Sequence, residues 1–180
     1  MESKGHWRDR WAFLEPLVGA RTACELNALQ TQAGAPSLGL VKVDRVVDLI
    51  IEPNEEFSAD KKAAVEMAAA EDLFGNQRSA PEPAPLRLKY RYFCVADGCK
   101  GHLQTIIDWE AGQSVRKWGP MTSGPEQLRD RLRRKFLTEM CGPARDTYFF
   151  LGNQAKRRHV FAVLGVFWPP RGTRPDPALF

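Results

Sequence analysis

Long apolar runs are absent from this sequence. No stretch approaches the ~18–20 residues that a membrane-crossing helix requires, so no membrane span is expected. Cysteine is sparse, four in 180 residues, which excludes a scaffold built from disulfides. Also missing are a His-Glu-x-x-His pattern, a Walker lysine motif, a helix-turn-helix pattern and the aromatic signatures of common RNA-binding modules. No internal repeat is visible. Met1 to Trp11 is polar and charged, without the apolar stretch of a secretory signal, and the expectation is a cytoplasmic protein with reduced thiols.

What is present is an ordinary globular mixture. Hydrophobic residues make up 43% and charged residues 27%, unlike a disordered chain, and the length suits a single core. Net charge is +4, unevenly spread: residues 1–85 carry 9 Lys/Arg against 14 Asp/Glu, and residues 86–180 carry 17 against 8. Clustered cations gain by displacing counterions from phosphates, so the second half points to DNA or RNA. Ordinary solvation of a basic protein is the competing explanation.

The same division organises the chain into a mildly acidic part at 1–75, a proline-rich linker or loop at 76–85, and a basic part at 86–180, packed together as one domain. Valine- and isoleucine-rich residues 38–52 predict strand, kinked near Asp44 and Arg45. Apolar spacing from Trp7 to Val18 predicts a short helix interrupted by Pro16, and Ser58 caps a predicted helix running to Leu73. Leu86 to Phe93 alternates Leu86, Leu88, Tyr90 and Tyr92 with a mostly basic face, the pattern of a half-buried strand. Leu103, Ile107, Ala111, Val115 and Trp118 predict a helix over 103–118, and Leu128, Leu132, Phe136 and Met140 another over 125–141. Segments 147–151 and 159–168 predict a hairpin with a basic tip. The fold class is therefore α+β: a mixed or antiparallel sheet packed against two to four helices, with a small zinc-stapled segment.

That segment is Cys94-Val-Ala-Asp-Gly-Cys99-Lys-Gly-His102. Gly98 and Gly101 permit a tight reversal, which would gather two thiolates and an imidazole around one ion. Zinc suits such donors and takes four of them, and Cys141 at the end of the basic helix is the expected fourth. Under the competing reading these cysteines are small buried hydrophobes.

Asp108 and Glu110 are the acidic pair that could serve chemistry. On a strand they would share a face and hold Mg²⁺ for a nuclease, whereas on a helix they sit about 200° apart. The familiar nuclease arrangement of an acid followed by Glu-x-Lys is not reproduced, since Ala111 and Gly112 follow Glu110. For binding, Arg129, Arg133 and Arg134 on the basic helix and Lys156, Arg157 and Arg158 on the hairpin tip are the expected phosphate contacts, with Asn153 available to base edges. The functional expectation is a nucleic-acid-binding protein with a structural zinc. The alternatives are a Mg²⁺-dependent nuclease, and an accessory subunit that binds a protein partner.

Overall fold

The computed structural model describes residues 7–56, 58–69 and 83–175. Five strands, β1 (Leu38–Pro53), β2 (Leu86–Cys94), β3 (His102–Ile106), β4 (Tyr148–Gln154) and β5 (Arg157–Phe167), form a closed barrel in the order β1-β2-β3-β5-β4. Neighbours are antiparallel except at the β3–β5 seam, which is parallel. Among the described residues five α-helices accompany it: α1 (Trp7–Leu14), α2 (Ala23–Leu29), α3 (Ala59–Ala68), α4 (Trp109–Trp118) and α5 (Pro125–Arg133). The expected α+β class with a mixed sheet is what forms, as a barrel rather than an open sheet.

β1 is long because it serves two partners. Leu38 to Lys42 pairs with β4, and Val43 to Pro53 pairs with β2. Register shifts between Val43 and Arg45 and between Val46 and Asp48 mark the turning point, since a bulge sharpens the twist of a strand. The predicted kink near Asp44 and Arg45 is this bulge.

Past the bulge β1 has a free edge, and α5 covers it. Arg133 Nη1 donates to the Leu49 carbonyl while Nη2 reaches Asp48 Oδ1 at 2.6 Å, and Arg129 Nη1 donates to the Ile51 carbonyl at 2.6 Å. Four helical residues rise about 6 Å and two strand residues about 6.6–6.8 Å, so arginines one turn apart match alternate carbonyls. Two side chains thereby take the place of a neighbouring strand.

The barrel interior is aromatic. Tyr90 stacks on Phe149 at 4.7 Å and Tyr92 meets Phe149 edge-on at 4.9 Å, all three with no exposed surface. Their hydroxyls find partners, Tyr90 donating to the Phe136 carbonyl and Tyr92 to Gln104 Oε1. The Phe136 carbonyl is free because the chain widens into a π-type turn over Arg134–Glu139, where Met140 N bonds to Lys135 O and Cys141 N to Leu137 O. Ala111, Val115, Leu128 and Leu132 bring α4 and α5 into this core. On the outer side of β4 and β5, Trp11 and Leu14 of α1 pack with Leu40, Tyr148 and Phe167.

Two local expectations change, and a third is described only in part. Residues 102–106 are strand β3, and the helix begins only at Trp109. The spacing of Leu103 and Ile107 imitates a helix, but both are exposed, and Gln104 and Ile106 between them face inward. The helix after Ser58 runs from Ala59 to Ala68, and its expected extension to Leu73, like most of the 76–85 linker, lies outside the described residues. Within the hairpin the strands extend further than expected, leaving only Ala155 and Lys156 as the turn.

Candidate functional site

The second helix begins at a capping box: Thr22 accepts from Glu25 N, and Glu25 in turn accepts from Thr22 N. Three contacts then hold α2 to the barrel. Leu26 is fully buried over Gly39, where an added Cβ would lie 2.6 Å from Leu26 Cδ1. Gln30 bonds through Oε1 to Asn153 Nδ2 at 3.0 Å. Cys24 faces the β2–β3 turn.

That turn carries the predicted cluster. Cys94 ends β2, Cys99 sits in the reversal and His102 opens β3, while Gly98 (φ 67°) and Gly101 (φ 91°) adopt the left-handed backbone that glycine permits. Cys94 Sγ lies 3.7 Å from Cys24 Sγ and 3.6 Å from Cys99 Sγ. His102 Nε2 lies 3.5 Å from Cys24 Sγ and 3.4 Å from Cys99 Sγ. All four ligand atoms fall within 4.8 Å of one another.

These separations can be compared with a coordination sphere. A tetrahedral ion with bonds of about 2.3 Å to sulfur and about 2.05 Å to nitrogen sets sulfurs about 3.8 Å apart and sulfur and nitrogen about 3.6 Å apart. The four separations of 3.4–3.7 Å lie close to those values. The sulfurs are too far apart for disulfides, whose bond is about 2.05 Å, and all four cysteines are free. Cys24, Cys94, Cys99 and His102 therefore form a Cys₃His cluster able to hold a metal ion.

Electrostatics point the same way. Burial, with hydrogen bonds to Cys94 and Cys99, pushes the Cys24 thiol up to about 12. Burial also raises Cys99, but backbone hydrogen bonds at Gly101 and Cys94 outweigh it and leave that thiol below its ordinary value. Burial lowers His102, keeping its imidazole neutral and able to donate its lone pair. A bound cation would supply the positive charge that three clustered sulfurs lack.

The expected fourth ligand, Cys141, is elsewhere. Its thiol donates to the Phe136 carbonyl at 3.3 Å beside Tyr90, and burial pushes it up to about 12. Cys24 occupies the fourth place instead. No local spacing could reveal a donor so far upstream, although Thr22-x-x-Glu25 does mark the helix that presents it.

Asp108 lies between β3 and α4 and caps the helix, accepting from Ala111 N at 2.8 Å. Glu110 occupies the first turn, so the two carboxylates do not share a strand face. Both border a cleft of about 270 Å³ with Arg10, Phe150 and Trp168. Among the described residues, no other group of three or more His, Cys, Asp or Glu side chains converges as the Cys₃His cluster does.

The expected nucleic-acid contacts divide. Arg129 and Arg133 are committed to β1, whereas Arg134 is exposed at the start of the π-type turn that follows α5. On the hairpin tip Lys156 and Arg157 are exposed, Arg158 donates to the Gln32 carbonyl, and Asn153 is held by Gln30 and the Arg158 carbonyl. The mostly basic face of the Leu86–Phe93 strand is part of the outer face of β1, β2 and β3. Arg91 is exposed there, Leu103 is exposed opposite it in register, and Arg45 stacks over the Phe93 ring at 4.1 Å. Lys89 on the same face pairs with Glu52 at 2.5 Å.

Residues 19–180 match the family described as "Domain of unknown function (DUF8757)", and the chain belongs to that family. No curated protein and no solved structure matches it.

Proposed function

We propose that this member of the DUF8757 family binds single-stranded nucleic acid on the outer face of β1, β2 and β3, and that a structural zinc ion stiffens the end of that face. The carrying observation is the face itself. Among the described residues Arg45, Val47, Arg91 and Leu103 are all exposed on it. A five-stranded Greek-key barrel of the OB type binds oligonucleotides across strands 2 and 3 and the neighbouring loops. This strand order and parallel seam follow that connectivity, and the argument from it is an analogy of fold.

The chemistry of the face agrees with the analogy. A guanidinium plane is a stacking surface for an unpaired base, and apolar side chains interleaved with cations suit a strand whose bases are accessible. Arg45 is prepared for this because Phe93 backs it. The Phe93 ring lies close to Gly101, where an added Cβ would be 3.4 Å from the ring. Exposed Lys156 and Arg157 on the hairpin tip add positive charge to the barrel end that carries α2.

Zinc is the ion that three thiolates and one imidazole in a tetrahedron suit best. Its role would be structural, because all four positions are filled by the protein and none is left for a substrate. When bound, zinc supplies only charge and fixed geometry. The chain's own residues do the rest, joining α2 to the β2–β3 turn.

The test is a binding titration of a labelled single strand and the matching duplex between about 50 and about 200 mM salt. A preference for the single strand, with affinity falling steeply as salt rises and weakened by Arg91→Glu, supports the reading. Absence of binding at the lowest salt would overturn it and favour a protein partner.

A further inference from the structure

A groove opens where β1 leaves β4. It encloses about 450 Å³ between the bulge of β1 and the loop before β4. Lys42, Arg45, Arg145 and Arg171 line it, against Asp44 and Asp146, a surplus of two positive charges among its charged lining residues. We infer that this groove is a phosphate site for the strand bound on the adjoining face, an inference that rests on the binding proposed above.

Three observations carry it. Each cation that is engaged is held without being fully spent. Lys42 Nζ lies 2.7 Å from Asp146 and 4.5 Å from the Tyr148 ring centre, Arg45 Nη1 lies 3.5 Å from Asp44 and its guanidinium over the Phe93 ring, and Arg145 is braced on Trp168 at 4.8 Å. Aromatic contact fixes the direction of a cation while leaving its hydrogen-bond donors available to an anion.

Second, Arg171 is exposed and is positioned by its backbone, its N–H donating to the Ala144 carbonyl at 2.9 Å. It is brought to the groove by the segment after β5, so the lining comes from β1, from the loop before β4 and from the chain beyond β5. Third, Arg45 belongs both to the groove and to the Phe93 stack. A base on the outer side of Arg45 would leave its phosphate next to the groove mouth. The bulge between Val43 and Arg45 creates both features at once, parting β1 from β4 and turning Arg45 outward.

The salt dependence of binding tests this directly. Each phosphate contact to a single strand contributes about 0.7 to the slope of log affinity against log salt. Arg171→Glu and Arg145→Gln should each lower the slope by about that amount and weaken binding, Arg171→Glu without changing the melting temperature of the free protein. Arg171 has the cleaner readout, since Arg145 also touches Trp168. If the wild-type chain binds and both variants keep its slope, the groove is overturned while the face remains. If the wild-type chain binds no single strand, the proposed function falls and the groove with it.

Discussion

Cys24 and His102 are separated by 78 positions in the chain, and Cys24 Sγ lies 3.5 Å from His102 Nε2. The contact joins a helix that precedes the barrel to a turn between two of its strands. With Cys94 and Cys99 it makes a four-donor set whose spacing fits one ion, and it makes α2 part of the barrel rather than an appendage.

Cys24→Ser and Cys141→Ser should separate metal binding from burial. The protein is expected to purify with one zinc per chain, retained in Cys141→Ser and lost in Cys24→Ser. Elemental analysis of the three proteins checks it. Equal loss from both variants would return Cys141 to the ligand set.

Acidification should release the metal. The His102 imidazole is held below its ordinary value by burial, so its neutral form is favoured in the fold. For a group lowered in this way, stability is present above the unfolded value near 6.5 and is lost as pH falls through the folded value. Metal binding adds to the same trend, because protons compete for imidazole and thiolates. Melting temperatures measured from pH 7.5 down to pH 5 should fall, and chelator should lower them most at the acid end.

Gly39→Val should weaken metal retention from a distance. The added side chain would collide with Leu26, which is fully buried and has nowhere to retreat. Displacing α2 moves Cys24 with it. Competition with a zinc-chelating dye should show the variant surrendering its ion at lower chelator concentration than the wild type, and unchanged retention would mean that α2 is positioned mainly by the metal.

Arg133→Ala should cost stability, not nucleic-acid affinity. It removes the cover from the Leu49 carbonyl and the partner of Asp48, a loss of about 1 kcal/mol for a partly exposed group. The urea midpoint should drop while the salt slope of binding stays the same. A lower slope would instead put the helix arginines back among the phosphate contacts.

Much of the barrel is legible in the sequence because most of its strands alternate inward apolar and outward polar residues. Leu88, Tyr90 and Tyr92 all face the core as the pattern over Leu86–Phe93 predicts. β3 escapes that reading because it inverts the usual chemistry, burying Gln104 against Tyr92 while exposing Leu103. The Cys94, Cys99 and His102 group is visible because one reversal supplies it. Cys24 is hidden because its place depends on the packing of Leu26 over Gly39. The packing role of the basic helix is hidden for a related reason: Arg129 and Arg133 satisfy a strand edge whose existence depends on a bulge more than 80 residues earlier.

The double allegiance of β1 also bears on how the chain folds. The barrel is sealed only when Leu38 finds Gly152, a pairing of long sequence separation, and such pairings slow folding because loop entropy is lost before contacts repay it. The turn from Cys94 to His102 can form locally and hold an ion by three donors. Capture of Cys24 would then deliver the start of β1 to the growing sheet, so the ion would act as a guide for the search as well as a clamp on its result.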